Sequence, residues 1–194
     1  MVSPESGGGP RDELQLALIG EFSQIAGSRE IPFWLRGGWA MDFFLGRVTR
    51  PHEDVDLFAR ACDAARLVEA LTAQGFAESP GPPPERQRNL VRDGVEFHIT
   101  LLERAPSGEV FTAAAPPDWE PWPEGMLGTA SGRIGALSCP IVSPESQIEV
   151  KHKFREWRPD LPEREKDSAD VELLEAALRA ATCGRPGPAI DPGP

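Results

Sequence analysis

Cysteine is scarce in this chain: Cys62, Cys139 and Cys183 among 194 residues, odd in number, widely spaced and without a C-x-x-C pair. That argues against a disulfide framework and against a zinc site. Long apolar runs are missing too, since no stretch reaches the roughly 18–20 residues that a helix needs to span a bilayer. The start of the chain, Met1-Val2-Ser3-Pro4-Glu5-Ser6 and then glycines, has no basic and then apolar export signal, so a cytoplasmic protein is expected. Positive charge is in short supply as well: 20 Lys+Arg stand against 31 Asp+Glu, a formal net charge of -11. Binding nucleic acid or an anionic membrane takes a basic face that displaces counterions, and neither partner is expected here. A cationic partner or a bound divalent metal suits the balance better.

What is present is enough for one domain with its own core, 40% of the residues being hydrophobic. Residues 1–10, rich in Gly, Ser and Pro, and 183–194, equally poor in apolar side chains, cannot offset their ordering entropy by burial and are expected to be disordered. Between them a core over 11–140 and a C-terminal helical part over 141–182 are expected. Leu14, Leu18, Phe22 and Ile25 recur at helical spacing and predict a helix over 11–27. Ile31 to Leu35 reads as a buried strand entering a tight turn at Arg36-Gly37-Gly38, followed by a short helix from Trp39 to Leu45, which Gly46 closes. Residues 54–59 alternate as a strand; 62–74 is helical, with Ala65, Leu67, Val68 and Leu71 available for packing. Asn89 to Arg92 and Val95 to Leu102 flank Asp93-Gly94, a hairpin signal. Shorter strands are expected at 109–112 and 132–137, and Pro-rich loops at 79–84 and 115–125. Ser143-Pro144-Glu145 has the order of a helix start and opens a helix to Trp157. A last helix, over 163–181, carries Val171, Leu174 and Leu178 on one stripe. The fold class expected is α+β: a small mixed sheet flanked by helices, with a short C-terminal helical extension.

The chemistry concentrates in few residues. In a strand, residues i and i+2 share a face, so Asp54-Val55-Asp56 sets two carboxylates side by side while Val55 and Leu57 enter the core. Such a pair repels itself unless a positive charge sits between: by itself it reads as a solvated strand end or as a site for Mg²⁺, a hard cation that takes carboxylate oxygens while keeping places for water and phosphate. In Val95 to Leu101 the apolar residues line one face and leave Glu96, His98 and Thr100 on the other. If that strand neighbours 54–59, Glu96 adds a third carboxylate, which can bind metal or act as a general base. Gly37-Gly38, between a strand and a helix, lets backbone approach an anion closely and reads as a phosphate cradle or a plain turn.

Taken together, Leu35-Arg36-Gly37-Gly38-Trp39-Ala40-Met41-Asp42 and Gly46-Arg47-Val48-Thr49-Arg50-Pro51-His52-Glu53-Asp54-Val55-Asp56-Leu57 resemble the nucleotidyltransferase superfamily of the polymerase-beta type. More narrowly, they are similar to the antibiotic nucleotidyltransferases that adenylylate aminoglycosides (the 2″-type) or lincosamides. The resemblance is strong over residues 30–60. It continues weakly through Glu96 to Ser143-Pro144-Glu145-Ser146-Gln147 and Lys166-Asp167-Ser168-Ala169-Asp170, which look like the Pro-Glu-x-Gln and Lys-Asp-x-x-Asp signatures of such chains. It implies that Gly37 and Gly38 meet the triphosphate, that Asp54 and Asp56 bind Mg²⁺, and that Glu96 fills the third acidic position. Many members have Asp there, which leaves open whether Glu96 binds metal or takes the substrate proton.

The only lysines, Lys151, Lys153 and Lys166, lie with Arg155, Arg158 and Arg164 in one stretch that also holds Glu156, Asp160, Glu163 and Glu165. Lys151 and Arg155 share a helix face and suit the β- and γ-phosphates, or belong to a helix surface with routine ion pairs. Lys166 matches the signature, or pairs with Asp170 at i+4. Arg50 contacts phosphate or pairs with a nearby carboxylate. His52 reads as an exposed loop residue or a nucleotide contact; His98 orients Glu96, contacts substrate or is structural. Trp119 and Trp122, among Asp118, Glu120 and Glu124, form a wall for a cationic amine or sugar, or anchor their loop. Trp34 and Trp39 belong to the core. The function expected is Mg²⁺-dependent transfer of AMP from ATP to a hydroxyl of a small, cationic, aminoglycoside-like molecule with release of pyrophosphate. Alternatives are a toxin-like enzyme modifying RNA or protein, and a nucleotide- or metal-binding regulatory domain without turnover. The two C-terminal helices pack on the core or on a second subunit, so monomer and homodimer both stand.

Overall fold

A computed structural model describes residues 9–157 and 165–183. In chain order the elements are α1 (Pro10–Ser28), β1 (Phe33–Leu35), α2 (Gly37–Leu45), β2 (Asp54–Arg60), α3 (Ala64–Thr72) after a 3₁₀ turn at Ala61–Asp63, β3 (Ala77–Glu78), β4 (Gln87–Arg92), β5 (Val95–Arg104), β6 (Val110–Thr112), β7 (Ser131–Ile134), β8 (Leu137–Pro140), α4 (Pro144–Trp157) and α5 (Glu165–Cys183). The main sheet runs β1-β2-β5-β4-β3, with β6 continuing beside the far end of β5. Among the strands of the described residues β2 and β5 pair in parallel, with α3 and the β3–β4 hairpin in the connection between them, and the other strand pairs are antiparallel; Leu35 of β1 also makes an isolated parallel bridge to Ile141. This is the mixed α+β architecture expected. No helix among the described residues is long and apolar enough to cross a membrane.

One face of the sheet packs on α1 and α3. Phe22 of α1 stacks on Phe97 of β5 at 5.9 Å between ring centroids and meets Phe33 of β1 edge-on at 5.1 Å. It is 1% exposed, and such burial stabilises by about 1.5–3 kcal/mol. Val55, Leu57, Ile99 and Leu101 complete this core. Part of the opposite face is covered by a smaller cluster of Trp34, Phe58, Leu102, Val110, Met126 and Val142. The two aspartates share a face with Phe58, so the carboxylates stand at the border of that second core.

Local details depart from the periodicity. Leu14 is exposed, and α1 turns Asp12, Gln15, Leu18, Ile19, Phe22 and Ala26 inward instead. Asp12 accepts the Gly9 N–H at 2.9 Å, and Gln15 donates to the His52 carbonyl at 3.2 Å, so one local and one distant partner draw polar residues into the buried stripe. In α3 it is Ala64, not Ala65, that is buried, because the chain first makes a 3₁₀ turn that rotates the helix face. The segment expected as one strand over 132–137 is a hairpin, β7 and β8, folded at Gly135 with φ 57°. Asp93 and Gly94, both with positive φ, make the expected turn between β4 and β5. The α4 start also forms as expected, the Ser143 hydroxyl accepting the Ser146 N–H at 3.2 Å. The segments 1–8 and 184–194, together with Arg158 and Arg164, lie outside the described residues.

Candidate active site

The register of the parallel pair places Asp54 opposite Glu96 and Asp56 opposite His98. Because period-2 alternation sends all four side chains to one face, the two strands assemble a cluster of three carboxylates and an imidazole. The His98 ring stands between two of the acids, with Nδ1 3.3 Å from Asp54 Oδ2 and Nε2 3.3 Å from Glu96 Oε2. Asp56 has a different partner: its Oδ1 lies 3.4 Å from Arg36 Nη2, and that guanidinium also covers the Phe58 ring at 4.9 Å. The hydrogen bond from His98 lowers the pKa of Asp54 against the opposing effect of burial, and the charges of His98, Lys166 and Arg36 lower it further. The same bond raises the pKa of His98.

Gly37 and Gly38 are the first two residues of α2, behind Arg36 as N-cap, rather than a turn ahead of the helix. Each is constrained by close packing. Gly37 has φ 65°, and a Cβ there would stand 3.0 Å from Asp56 Oδ2. At Gly38 a Cβ would lie 2.4 Å from His52 Cε1 and 3.1 Å from Arg50 Nη2. The space beside both glycines at the α2 N-terminus is therefore filled, by Asp56 on one side and by His52 and Arg50 on the other.

His52 is not an exposed loop residue. It is 5% exposed, and its Nε2 bonds Asp42 Oδ2 at 2.7 Å. Asp42, fully buried in α2, also accepts the Thr49 hydroxyl at 2.5 Å and the Thr49 N–H at 3.1 Å. Arg50 pairs with a carboxylate, donating from Nη2 to Asp170 Oδ2 at 3.2 Å, while its Nη1 meets His52 Nδ1 at 3.2 Å. Lys151 donates to Asp167 and Asp170, each at 2.8 Å. Asp170 is thus bonded to Arg50 and Lys151, while Lys166 is exposed and acts on Asp54 through its charge. The Arg155 side chain lies outside what is described.

A cavity of about 550 Å³ opens beside this arrangement, with Arg36, Gly37, Asp56, Lys151, Trp122 and Trp157 in its lining. Trp122 meets Phe58 and Trp157 edge-on at 5.0 and 5.9 Å, and its Nε1 donates to the Thr112 hydroxyl at 3.1 Å. Trp119 is 48% exposed on the same wall, under the Arg86 guanidinium. Asp54, Glu96 and His98 lie at the N-terminal ends of the interior strands β2 and β5, a solvated edge of that face outside the lining. Sequence reasoning gave no role to Asp42 or Asp167. A single acid inside the apolar run Trp39 to Leu45 was the available sign of a buried, partnered carboxylate at 42.

Among the described residues no group of three or more His, Cys, Asp and Glu is arranged to enclose a metal ion. The donor set nonetheless fits Mg²⁺, which is commonly held by one or two carboxylates plus substrate phosphates. Asp54 and Asp56 share one strand face with 39% and 28% of their side chains exposed, and Asp56 lies against the Gly37 backbone.

Residues 21–174 match the profile of the aminoglycoside-2″-adenylyltransferase family. The chain belongs to that family. Curated relatives include the 2″-aminoglycoside nucleotidyltransferases of Klebsiella pneumoniae and Escherichia coli, each 50% identical over 46 residues. Those alignments take in 24% of this chain and 26% of each relative, so the chain spans about a quarter of the relatives' length there. The crystal structure of ANT(2″)-Ia in complex with adenylyl-2″-tobramycin superposes with a TM-score of 0.68 at 24% identity, covering 87% of this chain and 92% of that one. Lincomycin-bound LnuA, a lincosamide antibiotic adenylyltransferase, gives 0.62 at 18% identity, covering 86% and 96%. Both likenesses place the family's fold on this chain.

Proposed function

We propose that this family member is a nucleotidyltransferase that moves AMP from ATP to a hydroxyl of an aminoglycoside-like antibiotic and releases pyrophosphate. The observation that carries the reading is the register of β2 against β5, which sets Asp54, Asp56 and Glu96 on one face, with Asp56 against the Gly37 backbone at the start of α2. Asp54 and Asp56 would hold Mg²⁺. The metal, when bound, neutralises charge that develops on the transferring phosphate and on the departing pyrophosphate.

The chain's own residues supply the remainder. The missing Cβ atoms at Gly37 and Gly38 make room for Asp56, His52 and Arg50 against the N-terminus of α2, whose N–H groups and dipole favour an anion. Arg50 and Lys151, brought together by Asp170, face the β- and γ-phosphates, and Lys166 adds positive charge near Asp54. Glu96, with its side chain 60% exposed, accepts the proton of the acceptor hydroxyl as that oxygen bonds the α-phosphorus and the bond to pyrophosphate breaks. His98, bonded to both Glu96 and Asp54, orients the base. Exposed acid at this edge and the net charge of -11 favour a cationic acceptor. The family membership and the fold of the antibiotic adenylyltransferases support the same acceptor class.

Pyrophosphate release measured with Mg·ATP against a panel of aminoglycosides, lincosamides and uncharged polyols tests the reading. Turnover with aminoglycosides and none with the polyols is expected. Release with lincosamides alone would keep the reaction and replace the acceptor; labelled AMP on RNA or protein, and none on the panel, would contradict it.

A further inference from the structure

Two cations that are far apart in the chain meet at one buried carboxylate. Asp170, on α5, is 2% exposed, and its Oδ2 accepts from both Arg50 Nη2 at 3.2 Å and Lys151 Nζ at 2.8 Å. Arg50 belongs to the loop before β2 and Lys151 to α4, so a single oxygen ties three separate segments together. The arginine is gripped at its other amino group as well: Nη1 lies 3.2 Å from His52 Nδ1. A guanidinium only donates, so Nδ1 is the acceptor and the ring proton sits on Nε2, pointing at Asp42 Oδ2 at 2.7 Å. Asp42 is held in turn by the N–H and hydroxyl of Thr49. The chain of contacts Asp42–His52–Arg50–Asp170–Lys151 therefore fixes both cations from the core outward.

These contacts lie against the helix end that the proposed reaction uses. The His52 ring and Arg50 Nη2 are the atoms that a Cβ at Gly38 would strike, and Lys151 lines the same cavity as Gly37 and Asp56. An ammonium carries three donors, of which Lys151 directs two to Asp167 and Asp170. Without a carboxylate between them, two cations this close would repel each other and spread their long side chains over many rotamers.

We propose that Asp170 and His52 are positioning residues for the triphosphate: acting through Arg50 and Lys151, they hold both cations beside Gly37 and Gly38 at a fixed spacing. This rests on the nucleotidyltransferase reading for its physiological ligand and extends it by assigning the C-terminal helix α5 a part in nucleotide binding.

The test uses the full chain and two probes, inorganic tripolyphosphate titrated calorimetrically in Mg²⁺ and Mg·ATP in steady-state turnover. Asp170→Asn is expected to weaken tripolyphosphate by about 10–100-fold, the scale of one or two charge-assisted hydrogen bonds, and to raise KM for ATP more than it lowers kcat. Two isosteres at 52 separate aiming from packing. His52→Asn keeps an acceptor near the Nδ1 position, whereas His52→Gln keeps the donor toward Asp42 and loses that acceptor; Asn is expected to stay closer to wild type in tripolyphosphate affinity. Unchanged or tighter tripolyphosphate binding by Asp170→Asn would overturn the proposal, as would a wild-type chain that binds no tripolyphosphate. So would a variant that only melts earlier while keeping its affinity well below the melting temperature. Binding that depends on Asp170, with no pyrophosphate released for any acceptor, would instead overturn the proposed reaction and leave the positioning role standing.

Discussion

The carboxylates of β2 and β5 meet their partners at 3.3–3.4 Å and leave 28–60% of their side chains exposed. Asp42, His52 and Asp170 are at most 5% exposed and hold theirs at 2.5–3.2 Å. Both groups draw on the same short motif around residues 35–57, yet they differ in what they can release. Long, solvated contacts cost little to break, so the edge acids can exchange His98 and Arg36 for an incoming cation. The buried contacts cannot be exchanged in that way, because each lost partner leaves a desolvated donor or charge. The difference separates a set of groups kept available for ligands from a frame that keeps them in place.

The largest expected break in that comparison comes from Asp42. Asp42→Ala removes the acceptor for Thr49 and His52 at once and is expected to destabilise the chain by about 3 kcal/mol or more, read from urea unfolding. Asp54→Ala, at the solvated edge, should shift the same curve by less than about 1 kcal/mol. Equal shifts would erase the distinction. Gly38→Ala comes next: a Cβ 2.4 Å from His52 must displace the ring and its Arg50 contact, costing about 1–3 kcal/mol in thermal unfolding and weakening ATP binding in parallel.

The smallest effect is a dependence of stability on pH in metal-free protein. His98 has a pKa raised above its ordinary 6.5 by the bond to Asp54, so its contribution is complete below about pH 6.5 and fades as pH rises through the raised value. Asp54 has a pKa lowered below its ordinary 3.8, so its contribution is present above that value and fades as pH falls through the lowered one. The pair therefore stabilises most between about pH 4 and 6.5, by less than about 1 kcal/mol because both groups are partly solvated. Asp42, which has no such solvated partner, gives the contrast: His98→Asn should remove the slope above pH 6.5 and leave the Asp42 effect unchanged. A slope that survives in His98→Asn would place its origin elsewhere.

Much of the site was legible because its signals are local. A period of two forces Asp54 and Asp56 onto one face, and the same alternation separates Glu96 and His98 from Val95 and Phe97. The hairpin at Asp93-Gly94 and the α4 start at Ser143 likewise follow from the conformational preferences of a few adjacent residues. What periodicity could not carry was the partner of a polar side chain. His52 looked like an exposed loop residue because its burial depends on contacts outside the loop: its partner Asp42 and the Gly38 backbone against which it packs both sit on α2. Lys151 and Asp170 are joined across two helices, a pairing that depends on how α4 and α5 meet. Leu14 misled for the opposite reason, since apolar spacing alone ignores the polar contacts that turned Asp12 and Gln15 inward.

We propose that the solvated carboxylates of β2 and β5 carry out nucleotidyl transfer. Pyrophosphate release by Asp54→Asn, with Mg·ATP and whichever acceptor the wild-type chain uses, tests it most directly, alongside a melting curve for the same sample. A rate lower by about a thousandfold or more, at a melting temperature close to wild type, is the predicted result. Near-wild-type turnover in that folded variant would contradict it.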